Sequence, residues 1–137
     1  MRCISENNIR DVVVCDEAEW KNLILGVVGK YVDENKAGHQ LWERLLNTES
    51  YVDADGWKIM GTLIGNKKCI LFLDEERFCL KISNGILLQK ILEETYNFVF
   101  YITDQRLSYL LCHNDHDFVI ACGDARNWIA KPNIPFP

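Results

Sequence analysis

The sequence predicts an α+β fold: a single five-stranded, mostly antiparallel sheet with helices packed on it, two N-terminal and a short one C-terminal. Three observations carry this expectation. The stretch from Asn97 to Trp128, NFVFYITDQRLSYLLCHNDHDFVIACGDARNW, holds three short apolar runs, Phe98–Thr103, Leu107–Cys112 and Phe118–Cys122. Each is rich in aromatic and branched residues and bounded by turn formers, the pattern of strands. The breaks Asp104-Gln105-Arg106 and His113-Asn114-Asp115 are too short for a crossover, so the neighbours pair antiparallel. Upstream, Cys69–Leu73 and Phe78–Ile82 read as a hairpin around Asp74-Glu75-Glu76-Arg77. Nearer the N-terminus, Trp20, Leu23, Ile24, Val27, Val28 and Tyr31 recur at helical steps.

In chain order, Met1–Arg10 is a polar lead-in, and Val12–Cys15 is either a short strand or the entry to a helix. Asp16 and Glu19 have the spacing of a capping box and start a helix from about Glu17 to Val32. Gly26 and Gly29 lie off the centre of its apolar stripe. A second helix is expected over Glu34–Asn47, burying Ala37, Leu41, Trp42, Leu45 and Leu46. Glu49–Asp55 reads as a polar loop. Trp57–Ile64 fits either a strand, by Trp57, Ile59, Gly61 and Leu63, or a short helix stopped by Gly65-Asn66, and the helix is the preferred reading. After the hairpin, Ser83-Asn84 caps a helix to about Glu94 that turns Leu87, Leu88, Ile91 and Leu92 inward. The strand Phe98–Thr103 is apolar on both faces, which places it inside the sheet. Asp124 caps a last short helix carrying Ala125, Trp128 and Ile129. Residues 1–131 form one expected domain; 132–137, with Pro132, Pro135 and Pro137, form an extended tail.

With 137 residues, 48% of them apolar, the chain can bury a full core without staples. Its net charge of −5 argues against a nucleic-acid binder, because such proteins gather Lys and Arg on one face. The longest apolar run is far below the roughly 20 residues that a membrane span requires. Six cysteines with no CxxC, most of them in apolar runs, read as reduced buried thiols in a cytoplasm.

The densest polar cluster is Cys112-His113-Asn114-Asp115-His116-Asp117. His113 and His116, with Asp117 or a neighbour, are candidates for a metal site; Asn and Asp are also ordinary turn formers. A Cys112 or Cys122 nucleophile paired with either histidine is disfavoured by Asp104, Asp115 and Asp117, which raise a thiol pKa. No phosphate-loop, dinucleotide or hydrolase motif occurs, and no cofactor is expected. Acidic groups recur at Asp16-Glu17-Glu19, at Glu49, Asp53 and Asp55, at Asp74-Glu75-Glu76, and at Asp104, Asp115 and Asp117, where Asp104 and the His113–Asp117 turn are expected at opposite edges of the sheet. Solvated turns are the plain reading; a negative surface that steers a basic protein partner is the functional one. Trp57, next to an acidic loop, is the candidate aromatic anchor beside Asp53, Asp55, Asp74, Glu75 and Glu76.

The run Tyr101-Ile102-Thr103-Asp104-x-x-Leu107-x-x-Leu110-Leu111-Cys112-x-Asn114-x-His116-Asp117, followed by Gly123 and Trp128, resembles a segment of small acidic uncharacterised bacterial proteins. Many of those are similar to the immunity proteins of polymorphic toxin systems. The likeness covers 97–128, and the turn tends to read Glu-Asn-His-His-Asp in those relatives. It implies a non-catalytic module that neutralises a toxin or other basic protein by surface complementarity. The alternative is a small enzyme or metal-binding module centred on the His113/His116 loop.

Overall fold

The structure is a computed structural model that describes residues 12–94 and 99–130. The lead-in, Cys3, the start of the strand expected at Phe98 and the proline tail lie outside the described residues. The sheet corrects the five-strand expectation, because it has seven strands, all antiparallel. They are β1 (Val12–Val14), β2 (Glu49–Val52), β3 (Cys69–Leu73), β4 (Phe78–Ile82), β5 (Phe100–Thr103), β6 (Tyr109–His113) and β7 (Phe118–Gly123). Their order across the sheet is β1-β4-β3-β5-β6-β7-β2.

The two added strands are its edges. Val12–Val14 resolves as a strand on β4, and Glu49–Val52, expected as loop, pairs with β7. Three of the four β2 residues face solvent, so the segment carries the polarity of a loop while its backbone forms a ladder.

Among the described residues there are four α-helices: α1 (Glu17–Tyr31), α2 (Met60–Ile64), α3 (Gly85–Glu94) and α4 (Arg126–Ala130). The capping box of α1 forms: the Glu19 amide donates to Asp16 Oδ1 at 2.8 Å, and the Asp16 amide to Glu19 Oε1 at 2.9 Å. Asn84 caps α3, its Oδ1 accepting from the Leu87 amide at 3.0 Å. The helix expected over Glu34–Asn47 does not form. That stretch is irregular apart from a 3₁₀ turn at Leu41–Arg44. Gly38 breaks it with φ near 155°, and Leu41 and Leu45 still reach the core from the short turn.

Apolar side chains cover both faces of the sheet, so β5 and β6 are buried throughout. On one face Leu71, Leu80, Ile102, Leu111 and Val119 meet Leu88, Leu92, Met60 and Ile64 from α3 and α2. On the other, Phe72, Cys79, Tyr101, Cys112 and Ile120 meet Val27 and Tyr31 of α1 and Leu41. Each such side chain contributes about 1.5–3 kcal/mol by leaving water. α2 and α3 pack through glycine: the Gly85 amide donates to the Gly65 carbonyl at 2.7 Å, and a Cβ on Gly85 would overlap the Gly61 carbonyl. Among the described residues no helix is long and apolar enough to cross a membrane.

Cys15 and Cys79 are joined as a disulfide, with Cα atoms 5.4 Å apart. This corrects the expectation of reduced thiols for that pair. They sit directly across from each other where β1 leaves β4, and the Cys15 amide donates to the Cys79 carbonyl at 3.0 Å. Cys69, Cys112 and Cys122 are free and buried.

Candidate functional site: the acidic end of the sheet

The register brings together acidic groups that are far apart in sequence. Leu73 pairs with Phe78, Phe100 with His113, and Val52 with Phe118, and these rungs share one end of the sheet. Past them lie the β3–β4 turn with Asp74, Glu75 and Glu76, the β6–β7 turn with Asp115 and Asp117, and the β2 exit with Asp53 and Asp55. Cys15 opposite Cys79 brings Asp16, Glu17 and Glu19 to the same end. These ten carboxylates are half of the 20 in the chain. Glu17 pairs with Arg77, Glu19 with Lys81 at 2.6 Å, and Asp55 with Lys58 at 3.4 Å. Among the described residues Asp53, Glu75, Glu76 and Asp117 have no Lys or Arg ion-pair partner. Lys67, Lys68, Arg106 and Arg126 lie at the opposite end, as does Asp104.

The 3₁₀ turn bridges two of the acidic turns. The Leu41 amide donates to Asp74 Oδ2 at 2.9 Å, and the Trp42 amide to the Tyr101 hydroxyl at 3.1 Å. The Trp42 ring then meets His116 edge-on, with centroids 5.7 Å apart. Val52 is 64% exposed and its cross-strand neighbour Phe118 is 36% exposed. Trp42, His116, Val52 and Phe118 therefore make an apolar corner on the α1 face, next to Asp53, Asp115 and Asp117.

Sequence reasoning missed this corner. Trp42 packs on the α1-side core as its apolar spacing indicates, and the sequence marks Trp57 rather than Trp42 as the anchor. Trp57 instead packs against the α2–α3 side of the core, with Lys58 over its ring at 5.6 Å and Gln89 Nε2 donating to its carbonyl at 3.1 Å. The available signal was the Val52 and Phe118 pair, each the apolar end of a strand next to Asp.

The two histidines of the loop are separated by the sheet. His113 is buried on the α3 side, its ring 6.1 Å from that of Phe100, and its Nε2 donates to the Asp53 carbonyl at 3.0 Å. His116 lies on the Trp42 side, 3.9 Å from Asp115. Asn114 holds the turn, its Oδ1 accepting from the amides of His116 and Phe118 at 2.9 Å each. Asp117 takes the left-handed conformation, φ 69°. No three His, Cys, Asp or Glu side chains converge as a metal-ligating group among the described residues.

The two candidate thiols, Cys112 and Cys122, are not poised as nucleophiles. Burial holds the Cys112 thiol well above its ordinary pKa, and Asp74, Cys122 and Asp115 add to this. Burial pushes Cys122 up to about 12, against the opposing pull of Arg126 and Lys36. The Tyr101 hydroxyl is also raised, first by burial and then by Cys112 and Asp74.

No family model, curated protein or solved structure matches the chain.

Proposed function

We propose that the chain is a non-catalytic protein-binding module, immunity-like, that neutralises a toxin or other basic protein by covering it with the acidic end of the sheet. The observation that supports this reading is the convergence of four sequence-distant acidic groups on one edge of the molecule, several of them without a cationic partner. Such an array raises the association rate of a cationic protein and disfavours anionic polymers. The adjoining apolar corner supplies area that can be desolvated at the centre of an interface, with charges at its rim. The separation of His113 from His116 gives the metal-centred alternative no geometric support.

The test is co-production with the toxic domain encoded nearest to this gene. The wild-type chain should preserve growth and form a complex. The triple variant Asp53→Lys/Glu75→Lys/Asp115→Lys should keep its circular dichroism but lose protection, most clearly at low salt. Equal protection by the triple variant would defeat the proposal, and so would protection without any complex.

A further inference from the structure

Among the described residues β2 is an outer strand of the sheet, and its register decides which backbone groups point away from the ladder. The Asp53 amide donates to the Asp117 carbonyl at 2.8 Å, one step beyond the Val52–Phe118 rung. Residues 53 and 117 are thus a hydrogen-bonded pair. Bonded and non-bonded pairs alternate along an antiparallel ladder. Glu49 and Tyr51 therefore bond to β7, while Ser50 and Val52 turn their N–H and C=O groups away from the sheet. Glu49, Ser50 and Val52 are all exposed.

Three occupants of such an edge can be weighed on charge. A second copy of this chain would pair β2 with β2. Symmetric registers that use the open groups centre on Ser50, Tyr51 or Val52. The one centred on Tyr51 sets Glu49 opposite Asp53, and like charges in facing positions are destabilising; in none of the three does a Lys or Arg face Asp53. A nucleic-acid backbone meets the same carboxylates. An extended segment rich in Lys or Arg meets complementary charge at Asp53, Asp55, Asp115 and Asp117, and an apolar step at Val52 and Phe118.

We infer that β2 is the docking edge: an extended basic segment of the partner protein adds beside Glu49–Val52 as an eighth strand. Its backbone bonds to Ser50 and Val52, an apolar side chain covers Val52 and Phe118, and its cations face the neighbouring carboxylates. This rests on the binding reading above and adds the mode of recognition.

The probe is a capped peptide of alternating Lys and Val, titrated into ¹⁵N-labelled protein. A second peptide carries N-methyl groups on alternate amides, which removes the ladder donors and leaves the charge. The expected result is amide shifts at Glu49–Asp53 and Phe118, with affinity lower by about tenfold or more for the methylated peptide. Val52→Pro should give the same loss, because the amide it removes faces outward, where an edge strand tolerates proline. Should that variant fail to fold, the methylated peptide on the wild-type protein gives the same readout. Equal affinity for both peptides, with shifts spread over the acidic turns, would overturn strand addition and leave the acidic docking surface standing. Absence of binding by either peptide at low salt would overturn both.

Discussion

His113 Nε2 donates to the main-chain oxygen of Asp53 across 3.0 Å, and this bond fastens the end of β6 to the chain leaving β2. The carbonyl fixes the tautomer, since it can only accept. Gly56 lies close beneath, where a Cβ would strike Val119 and crowd the imidazole. The histidine is thus a brace for the acidic end.

Removing that brace has a measurable cost. His113→Ala removes this hydrogen bond, leaving the Asp53 carbonyl only the Gly56 amide at 2.9 Å, and opens a void beside Phe100, and should lower stability by about 1–3 kcal/mol. His116→Ala, at an exposed ring, should change it by less than about 0.5 kcal/mol. Urea denaturation of the two variants checks this. Equal losses would show that His113 is not the brace.

Two glycines should respond in opposite directions. Gly29 lies on the exposed side of α1 with open space where a Cβ would go, so Gly29→Ala should stabilise by about 0.5–1 kcal/mol. Gly85→Ala drives a methyl into the Gly61 backbone and should destabilise by about 1–3 kcal/mol or more, as at other overpacked sites. Thermal melts of the pair test the α2–α3 contact directly.

The disulfide closes a loop with a sequence separation of 64. Constraining a loop of this length should stabilise by about 4 kcal/mol in the chain-entropy account. Dithiothreitol should therefore lower the melting temperature of the wild-type protein. Cys15→Ser should start at the lowered value and be indifferent to the reductant. A wild-type melt unchanged by reduction would show that the bridge adds nothing.

Alkaline stability follows from the buried thiols. Burial pushes Cys69 and Cys122 from an ordinary value of 9.0 up to about 12. The folded state holds these protons more tightly than the unfolded one. The contribution is complete below pH 9 and is lost as pH rises toward 12. Each tenfold difference in proton affinity is worth about 1.4 kcal/mol, so the effect is a few kcal/mol per thiol. The denaturation midpoint should fall through this window, and less steeply in Cys122→Ala. Iodoacetamide at pH 8 should label Cys69, Cys112 and Cys122 only after unfolding.

The parts of the fold legible in sequence were those with strong local signals. The capping box at Asp16 and Glu19 and the cap at Asn84 form as their spacing indicates. The apolar runs of β3 to β7 are buried on two sides, so their character survives in any window. The edges were less legible for the converse reason: β1 reads as either a strand or a helix entry, and β2 reads as loop. β1 is three residues long, and β2 exposes Glu49, Ser50 and Val52, so neither shows the alternation of a half-buried strand. The helix expected after Glu34 failed because Leu41, Trp42 and Leu45 mimic helical spacing in a stretch that Gly38 interrupts. At the site, the acidic groups were visible one by one. Their convergence depends on strand register, which a linear reading does not contain, and the Trp42 corner depends on it too.

Half of the carboxylates gather at one end of the strands, while Lys67, Lys68, Arg106 and Arg126 stand at the other beside Glu49, Asp104 and Asp124, so negative charge is unevenly spread along the sheet. A cationic body approaching from any direction would feel a torque before it feels a contact. The two would rotate toward a common axis within about a Debye length, roughly 8–10 Å at ordinary salt. Orientation would then precede touch, and far fewer collisions would be wasted on the wrong side.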